Sequence, residues 1–154
     1  MPRTEPEVHL AIGSRFENIE LVKVVLDDCL QRLDVGEDDR HWIDLAVREA
    51  VANAIKHGNR QDPAKQVTIE MSVHGGDVAI TVADEGAGFD PEAVGDPLLP
   101  ENRFRRDGRG IFYMKRFMDE VDYRFRPGEG TVVTLRKHVA RPAAGANAIQ
   151  EESS

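Results

Sequence analysis

The stretch Arg48-Glu49-Ala50-Val51-Ala52-Asn53-Ala54-Ile55-Lys56-His57-Gly58 carries a carboxylate, a carboxamide, an ammonium and an imidazole within ten residues of one another. At α-helical pitch Glu49, Asn53, Lys56 and His57 gather on one polar face, while Ile43, Val47, Val51, Ala54 and Ile55 take the opposite arc. A carboxylate can accept a proton and an amide oxygen can hold a hard cation, so this face could form the wall of a site. By itself it also reads as the solvated side of an amphipathic helix. A second feature is Val82-Ala83-Asp84-Glu85-Gly86-Ala87-Gly88-Phe89, where an apolar strand delivers an acid at its end and two glycines follow. Such glycines let the backbone turn and lie close to a ligand, and the aspartate can accept a hydrogen bond from an exocyclic amine such as that of adenine. A third is Asp107-Gly108-Arg109-Gly110 leading into Ile111, a helix start that offers N–H groups and a positive dipole end to an anion. Arg103, Arg105 and Arg106 precede it, suited to phosphate contact or to a protein partner.

These residues need elements to hold them. Val8 to Ile12 reads as a short strand. Ser14 with Glu17 forms a capping-box pattern ahead of a helix in which Phe16, Ile19, Val22, Leu26, Leu30 and Leu33 recur at helical spacing, up to Asp34-Val35-Gly36. Glu37, Asp38 and Asp39 favour the start of a second helix, expected to run to about Ile55 or His57 before Gly58 ends it. The alternating runs Val67/Ile69/Met71/Val73 and Val78/Ile80/Val82 about Gly75-Gly76 predict a β-hairpin. From Asp84 to Gly110 no period persists and Pro91, Pro97 and Pro100 interrupt, so a functional flap is expected. A third helix should open at Gly110 with Ile111, Met114, Phe117, Met118 and Val121 along one side. A closing hairpin, VDYRFR and TVVTLRK, then turns at Pro127-Gly128-Glu129-Gly130. Helices grouped among hairpins predict an α+β fold, a two-layer α/β sandwich with a mixed or antiparallel sheet and helices on one face. One ordered domain is expected over residues 8–138, with disordered tails at 1–7 and 139–154. The sheet face without helices needs a cover, which admits a homodimer.

With 20 Lys and Arg against 28 Asp and Glu, the net charge is -8. That balance argues against direct binding to nucleic acid or to an anionic membrane and favours a basic partner. Cys29 has no second cysteine to pair with and falls in an apolar helical stretch, which fits an inert buried thiol in a reducing cytoplasm. The first 25 residues lack the basic-then-apolar order of a signal peptide, and no apolar run approaches the roughly 20 residues of a membrane span. A cytoplasmic location is the expectation.

A helix with Glu and Asn four apart, a strand ending in Asp-x-Gly-x-Gly and a Gly-x-Gly opening a helix after a long loop together resemble the Bergerat-fold (GHKL) ATPase and kinase superfamily, from about Val8 to Lys137. Within it the chain is most similar to the stand-alone serine/threonine kinases that act as anti-sigma factors. The match rests on EAVANAI from Glu49 to Ile55, His57-Gly58, Gly110-Ile111, Phe117-Met118-Asp119-Glu120-Val121 and Gly130-Thr131. The resemblance implies ATP and Mg²⁺ as cofactors. It implies that Asn53 holds Mg²⁺ through its amide oxygen, that Asp84 takes the adenine amino group, and that Thr131 adds a hydroxyl near the base. Gly86 and Gly88 would shape the base pocket, with Phe89 counted beside them, and His57 at the helix end is counted with the nucleotide-binding residues. Gly108, Arg109, Gly110 and Ile111 would receive the phosphates, with Arg105 or Arg106 reaching the β- or γ-phosphate. Glu49, one turn before the metal ligand, is then the natural general base. Ala87 departs from the proline or other small residue that relatives often carry there.

The activity that follows from the resemblance is an anti-sigma factor with kinase chemistry, which binds a sigma factor and phosphorylates an anti-anti-sigma (STAS-type) protein on serine. A switch kinase of a stress-signalling complex that never binds sigma would share the chemistry and differ in partners. A non-catalytic, nucleotide-gated binding module would need the pocket but not Glu49, so the presence of Glu49 with Asn53 disfavours it. The absence of Gly-x-x-x-x-Gly-Lys-Ser/Thr disfavours a P-loop enzyme.

Overall fold

The computed structural model describes residues 6–86, 114–126 and 128–139. Five strands, β1 (Val8–Gly13), β2 (Gln66–His74), β3 (Asp77–Ala83), β4 (Glu120–Arg126) and β5 (Gly130–His138), form one sheet in the order β1-β2-β3-β5-β4. Every pairing is antiparallel. Of the two sheet types the sequence allowed, the antiparallel one is therefore observed. Two helices, α1 (Ile19–Arg32) and α2 (Glu37–Asn53), lie on one face, with α2 over β3 and β5.

The period-2 apolar runs dictate that face. Val67, Ile69 and Met71 on β2, Val78, Ile80 and Val82 on β3, and Val133 and Leu135 on β5 are all buried. They meet Val22, Leu26 and Leu30 of α1 and Ile43, Val47 and Val51 of α2 in a single core. Arg40 locks the two helices, its guanidinium reaching Asp27 Oδ1 at 3.2 Å and the Val35 carbonyl at 2.7 Å. On the opposite face Thr68, Glu70, Ser72, Ala79, Thr81 and Thr134 stay half-buried, with no helical layer among the described residues. No helix among the described residues is long and apolar enough to cross a membrane.

Several local expectations are corrected. Ser14 does not cap α1. Its hydroxyl donates to the Lys65 carbonyl at 2.7 Å and accepts from Asn59 at 2.9 Å, while Glu17 pairs with Arg15. A 3₁₀ turn, Phe16–Asn18, precedes the helix, and this leaves Phe16 40% exposed instead of in the core. The regular α-helical hydrogen bonding of α2 stops at Asn53, and Ala54–Gly58 forms a π-helical turn in which Asn59 N–H reaches back to the Ala54 carbonyl at 2.8 Å. Val121 is not on the third helix. Residues 114–117 are helical, Met114 and Met118 are buried, and Val121 pairs with Leu135 within β4. Cys29 is half-buried, and burial pushes its thiol pKa up, as do the nearby Glu7 and Asp28 carboxylates. Glu7 and Val139, at the margins read as tails, hydrogen-bond Met71 at 2.6 Å and Gly76 at 2.7 Å respectively.

The central strand β3 runs through the middle of this core, with Val78, Ile80 and Val82 buried. Ile80→Ala is expected to cost about 2–5 kcal/mol of unfolding free energy by urea titration, since Ile80 is fully buried between strands on both sides.

Candidate functional site

The register of the sheet brings the end of β3 to the start of β5. Ala83 pairs with Val132, so the next residue, Asp84, lands beside Thr131 and its N–H donates to the Thr131 carbonyl at 3.0 Å. The Asp84 side chain turns inward and is only 4% exposed. Its Oδ1 accepts the Gly86 N–H at 3.0 Å and the Thr131 N–H at 3.2 Å. No hydrogen bond to Oδ2 occurs among the described residues.

Close backbone approach makes this possible. A Cβ on Gly58 would stand 2.3 Å from the Asp84 carboxylate, and one on Gly130 would stand 2.2 Å from the Asp84 carbonyl oxygen. Gly86 lies against Gly58 in the same way, where a Cβ would meet the Gly58 carbonyl at 1.8 Å. The end of α2, the end of β3 and the start of β5 thus converge on one carboxylate, and the contacts exclude any side chain larger than hydrogen. Burial pushes the Asp84 pKa above the usual carboxylate range, and the Gly86 and Thr131 N–H groups pull it partly back.

Asn59 braces the cradle from behind. Buried to 1%, it donates to Ser14 Oγ and to the Gln66 carbonyl, both at 2.9 Å, and accepts the Glu85 N–H at 2.8 Å. The Glu85 carboxylate in turn takes the Gln66 N–H. Sequence reasoning missed this bracket; a buried amide directly after a helix-ending glycine was the available signal.

On α2, Glu49 is half-buried and Asn53, one turn on, is only 3% exposed. Asn53 is therefore not on a solvated face, and its Nδ2 makes no hydrogen bond among the described residues. The π-helical turn breaks the expected four-residue wall: Lys56 points to solvent while His57 is half-buried. Tyr123, a residue that sequence reasoning missed, enters from β4 with its hydroxyl buried. Burial drives the pKa of this phenol far upward, the Asn53 side chain lowers it and the Glu49 charge raises it. The alternation of Val121, Tyr123 and Phe125 was the signal that it faces inward.

Of the residues singled out from the sequence, Asp84, Gly86 and Thr131 are in contact, and Glu49 and Asn53 lie one turn apart on α2. Gly88, Phe89, Arg103, Arg105, Arg106, Gly108, Arg109, Gly110 and Ile111 lie outside the described residues.

Residues 12–137 match the family described as the histidine kinase-like ATPase domain. Among solved structures, the RsbU and RsbW domains of a Mycobacterium tuberculosis protein superpose with a TM-score of 0.67 at 21% identity, covering 91% of this chain and 34% of that one. A blue-light activated histidine kinase of Erythrobacter litoralis aligns with a TM-score of 0.53 at 22% identity, over 69% of this chain and 32% of its own. Both share the fold. Curated relatives are nearer in sequence. The anti-sigma F factor of Geobacillus kaustophilus is 38% identical over 92% of this chain and 98% of its own length. That of Bacillus subtilis is 32% identical over the same shares. The chain belongs to the histidine kinase-like ATPase domains, on the branch that holds the anti-sigma factors.

Because the buried carboxylate resists ionisation in the folded state, the unfolded chain gives up its Asp84 proton at lower pH than the folded one does. The charge therefore counts against stability above the usual carboxylate range, with full effect above the folded pKa. Asp84→Asn is expected to melt higher than wild type at neutral pH without ligand, the difference shrinking as pH falls through the carboxylate range; calorimetric melting across pH measures it.

Proposed function

We propose that the protein is an ATP- and Mg²⁺-dependent serine/threonine kinase that binds a sigma factor and phosphorylates an anti-anti-sigma protein of the STAS type on a serine. The observation that carries this reading is the caged Asp84: a costly buried carboxylate, fixed through Oδ1 by two backbone N–H groups, with Oδ2 left for a donor. The exocyclic amine of adenine is such a donor. Thr131, Gly86, Gly88 and Phe89 complete the base site in this reading, with His57 at its margin.

The residues present fit Mg²⁺ as well. The Asn53 carboxamide is buried, its nitrogen makes no hydrogen bond among the described residues, and its oxygen is a hard donor of the kind Mg²⁺ takes alongside phosphate oxygens and water. When bound, Mg²⁺ supplies charge neutralisation of the phosphates. Gly108, Arg109, Gly110 and Ile111 would receive the phosphates through backbone N–H groups, and Arg105 or Arg106 would pair with the β- or γ-phosphate. Glu49 takes the proton of the incoming serine hydroxyl. The serine oxygen bonds to the γ-phosphorus as the bond from that phosphorus to the β–γ bridging oxygen breaks, and the electron pair leaves with ADP.

The partners follow from the relatives' names and from charge. The relatives are named for opposing a sigma factor, and a chain of net charge -8 favours a basic surface opposite it. A cytoplasmic location and a homodimer that covers the helix-free sheet face complete the proposal.

Purified protein incubated with labelled ATP and an anti-anti-sigma protein is expected to transfer the label to a serine; no transfer to any such substrate sinks the kinase reading. Glu49→Gln should lose transfer by about 10²–10⁴-fold, as removal of a general base does, while calorimetry finds ATP affinity close to wild type. Equal turnover by this variant would remove Glu49 from the role.

A further inference from the structure

Asn59 commits all of its polar groups within the protein. Its side chain donates to Ser14 Oγ and to the Gln66 carbonyl, both at 2.9 Å, and accepts the Glu85 N–H at 2.8 Å. Its backbone N–H reaches the Ala54 carbonyl at 2.8 Å, and its own carbonyl accepts the Asp62 N–H at 3.0 Å. Because the Glu85 carboxylate takes the Gln66 N–H, a ring of hydrogen bonds closes through Asn59, Gln66 and Glu85. The two residues directly after Asn59 are strained: Arg60 and Gln61 sit at φ of 52° and 59°, a left-handed conformation that persists only where the surroundings over-determine it.

What the ring holds is one peptide plane. The peptide that joins Asp84 to Glu85 has its N–H on Asn59 Oδ1, and its carbonyl oxygen lies where a Cβ on Gly130 would stand 2.2 Å away. That plane decides whether the next N–H, that of Gly86, meets Asp84 Oδ1, as it does at 3.0 Å to close an Asx turn. A rotated plane would carry the Gly86 N–H off Oδ1 and release the carboxylate to turn. The direction of Oδ2 is thus set from behind the acid, by a side chain that is only 1% exposed.

We propose that Asn59 is the positioning residue for base selectivity: by fixing the Asp84–Glu85 peptide it aims Asp84 Oδ2 at the purine amine, so that the preference for a base carrying that amine depends on Asn59. The inference rests on the reading of Asp84 as the acceptor of the adenine amine. Hydrogen bonds weaken steeply as donor and acceptor fall out of line, so a carboxylate free to turn loses the amine contact while it keeps its charge. A hydrogen bond to a charged group is worth roughly 10- to 100-fold in affinity. The ribose and the triphosphate are common to a nucleotide with the amine and one without it, so only the Asp84 contact separates the two.

The test is calorimetric binding of ATP and of purine riboside triphosphate, which lacks the 6-amino group, to the full chain as wild type and as Asn59→Ala. Wild type should prefer ATP by roughly 10- to 100-fold. Asn59→Ala should lose most of that preference through a weaker grip on ATP, with its affinity for purine riboside triphosphate close to that of wild type. A preference equal to wild type overturns the proposal, as does equal weakening toward both nucleotides, which marks a merely structural bracket. A wild type that binds both nucleotides equally overturns it together with the adenine contact of Asp84, and one that binds neither brings down the kinase reading as well. Should Asn59→Ala fail to fold, isotope-labelled wild type decides, because a bracket that strengthens the amine contact must itself be strengthened by it. Hydrogen exchange at the Glu85 amide that slows more with ATP than with purine riboside triphosphate supports the proposal, and equal slowing with the two overturns it.

Discussion

Removing a carboxylate from water is among the costlier things a fold can do, and most of this molecule's local geometry follows from having done it at Asp84. Two N–H groups converge on Oδ1, one from the turn at Gly86 and one from the first residues of β5. Neither could reach it unless three backbone segments came within a hydrogen atom's width of the acid, and that is why glycine stands at 58, 86 and 130. Asn59 then serves a second purpose. By taking the Glu85 N–H it holds the residue after the acid, and by donating to Ser14 and Gln66 it ties that residue to the chain just past β1 and to β2. The strain of the charge is spread over the sheet instead of being left to a loop.

The π-helical turn belongs to the same constraint. An α-helix continued past Asn53 would carry Gly58 around on a tighter spiral, whereas the wider turn from Ala54 to Gly58 brings the Gly58 backbone against both Asp84 and Gly86. The same widening separates Lys56, which is exposed, from Asn53, which is buried, and from the half-buried Glu49. One local change in hydrogen-bond register thus both closes the cradle and sharpens the site beside it.

How much of this was legible beforehand differs by element. The strands β2 and β3 and the closing hairpin were plain because apolar residues at every second position match one face of a pleated strand and no face of a helix. The pairing of Asp84 with Gly86 was visible as an acid and a glycine at an apolar strand's end. Asn53 was placed on the right helix but on the wrong kind of surface. Helical periodicity ranks residues by polarity, so an amide beside Lys56 and His57 reads as wet, although it is buried. Ser14 failed for a related reason: a capping box is a local pattern, and its hydroxyl was claimed by Lys65 and Asn59, some fifty residues away in the chain. Tyr123 could be recovered only by carrying the alternation of β4 through to the question of what its inward side meets.

An asparagine at position 84 would satisfy the same two N–H groups through its oxygen and would avoid the cost of the buried charge, so the acid must be retained for something other than the fold. The difference lies at the second oxygen. Ionised aspartate offers acceptors only, whereas asparagine would present an NH₂ there and would welcome a keto group as readily as the acid welcomes an amine. A purine with an amine at that edge is matched, and one with a carbonyl sets two acceptors against each other with no water between them, a mismatch that a desolvated site turns into strong discrimination. In the proposed reading, then, the stability lost at Asp84 and the choice of adenine over guanine are the same physical fact. The two backbone N–H groups on Oδ1 favour the accepting form of the acid, against the burial that favours protonation.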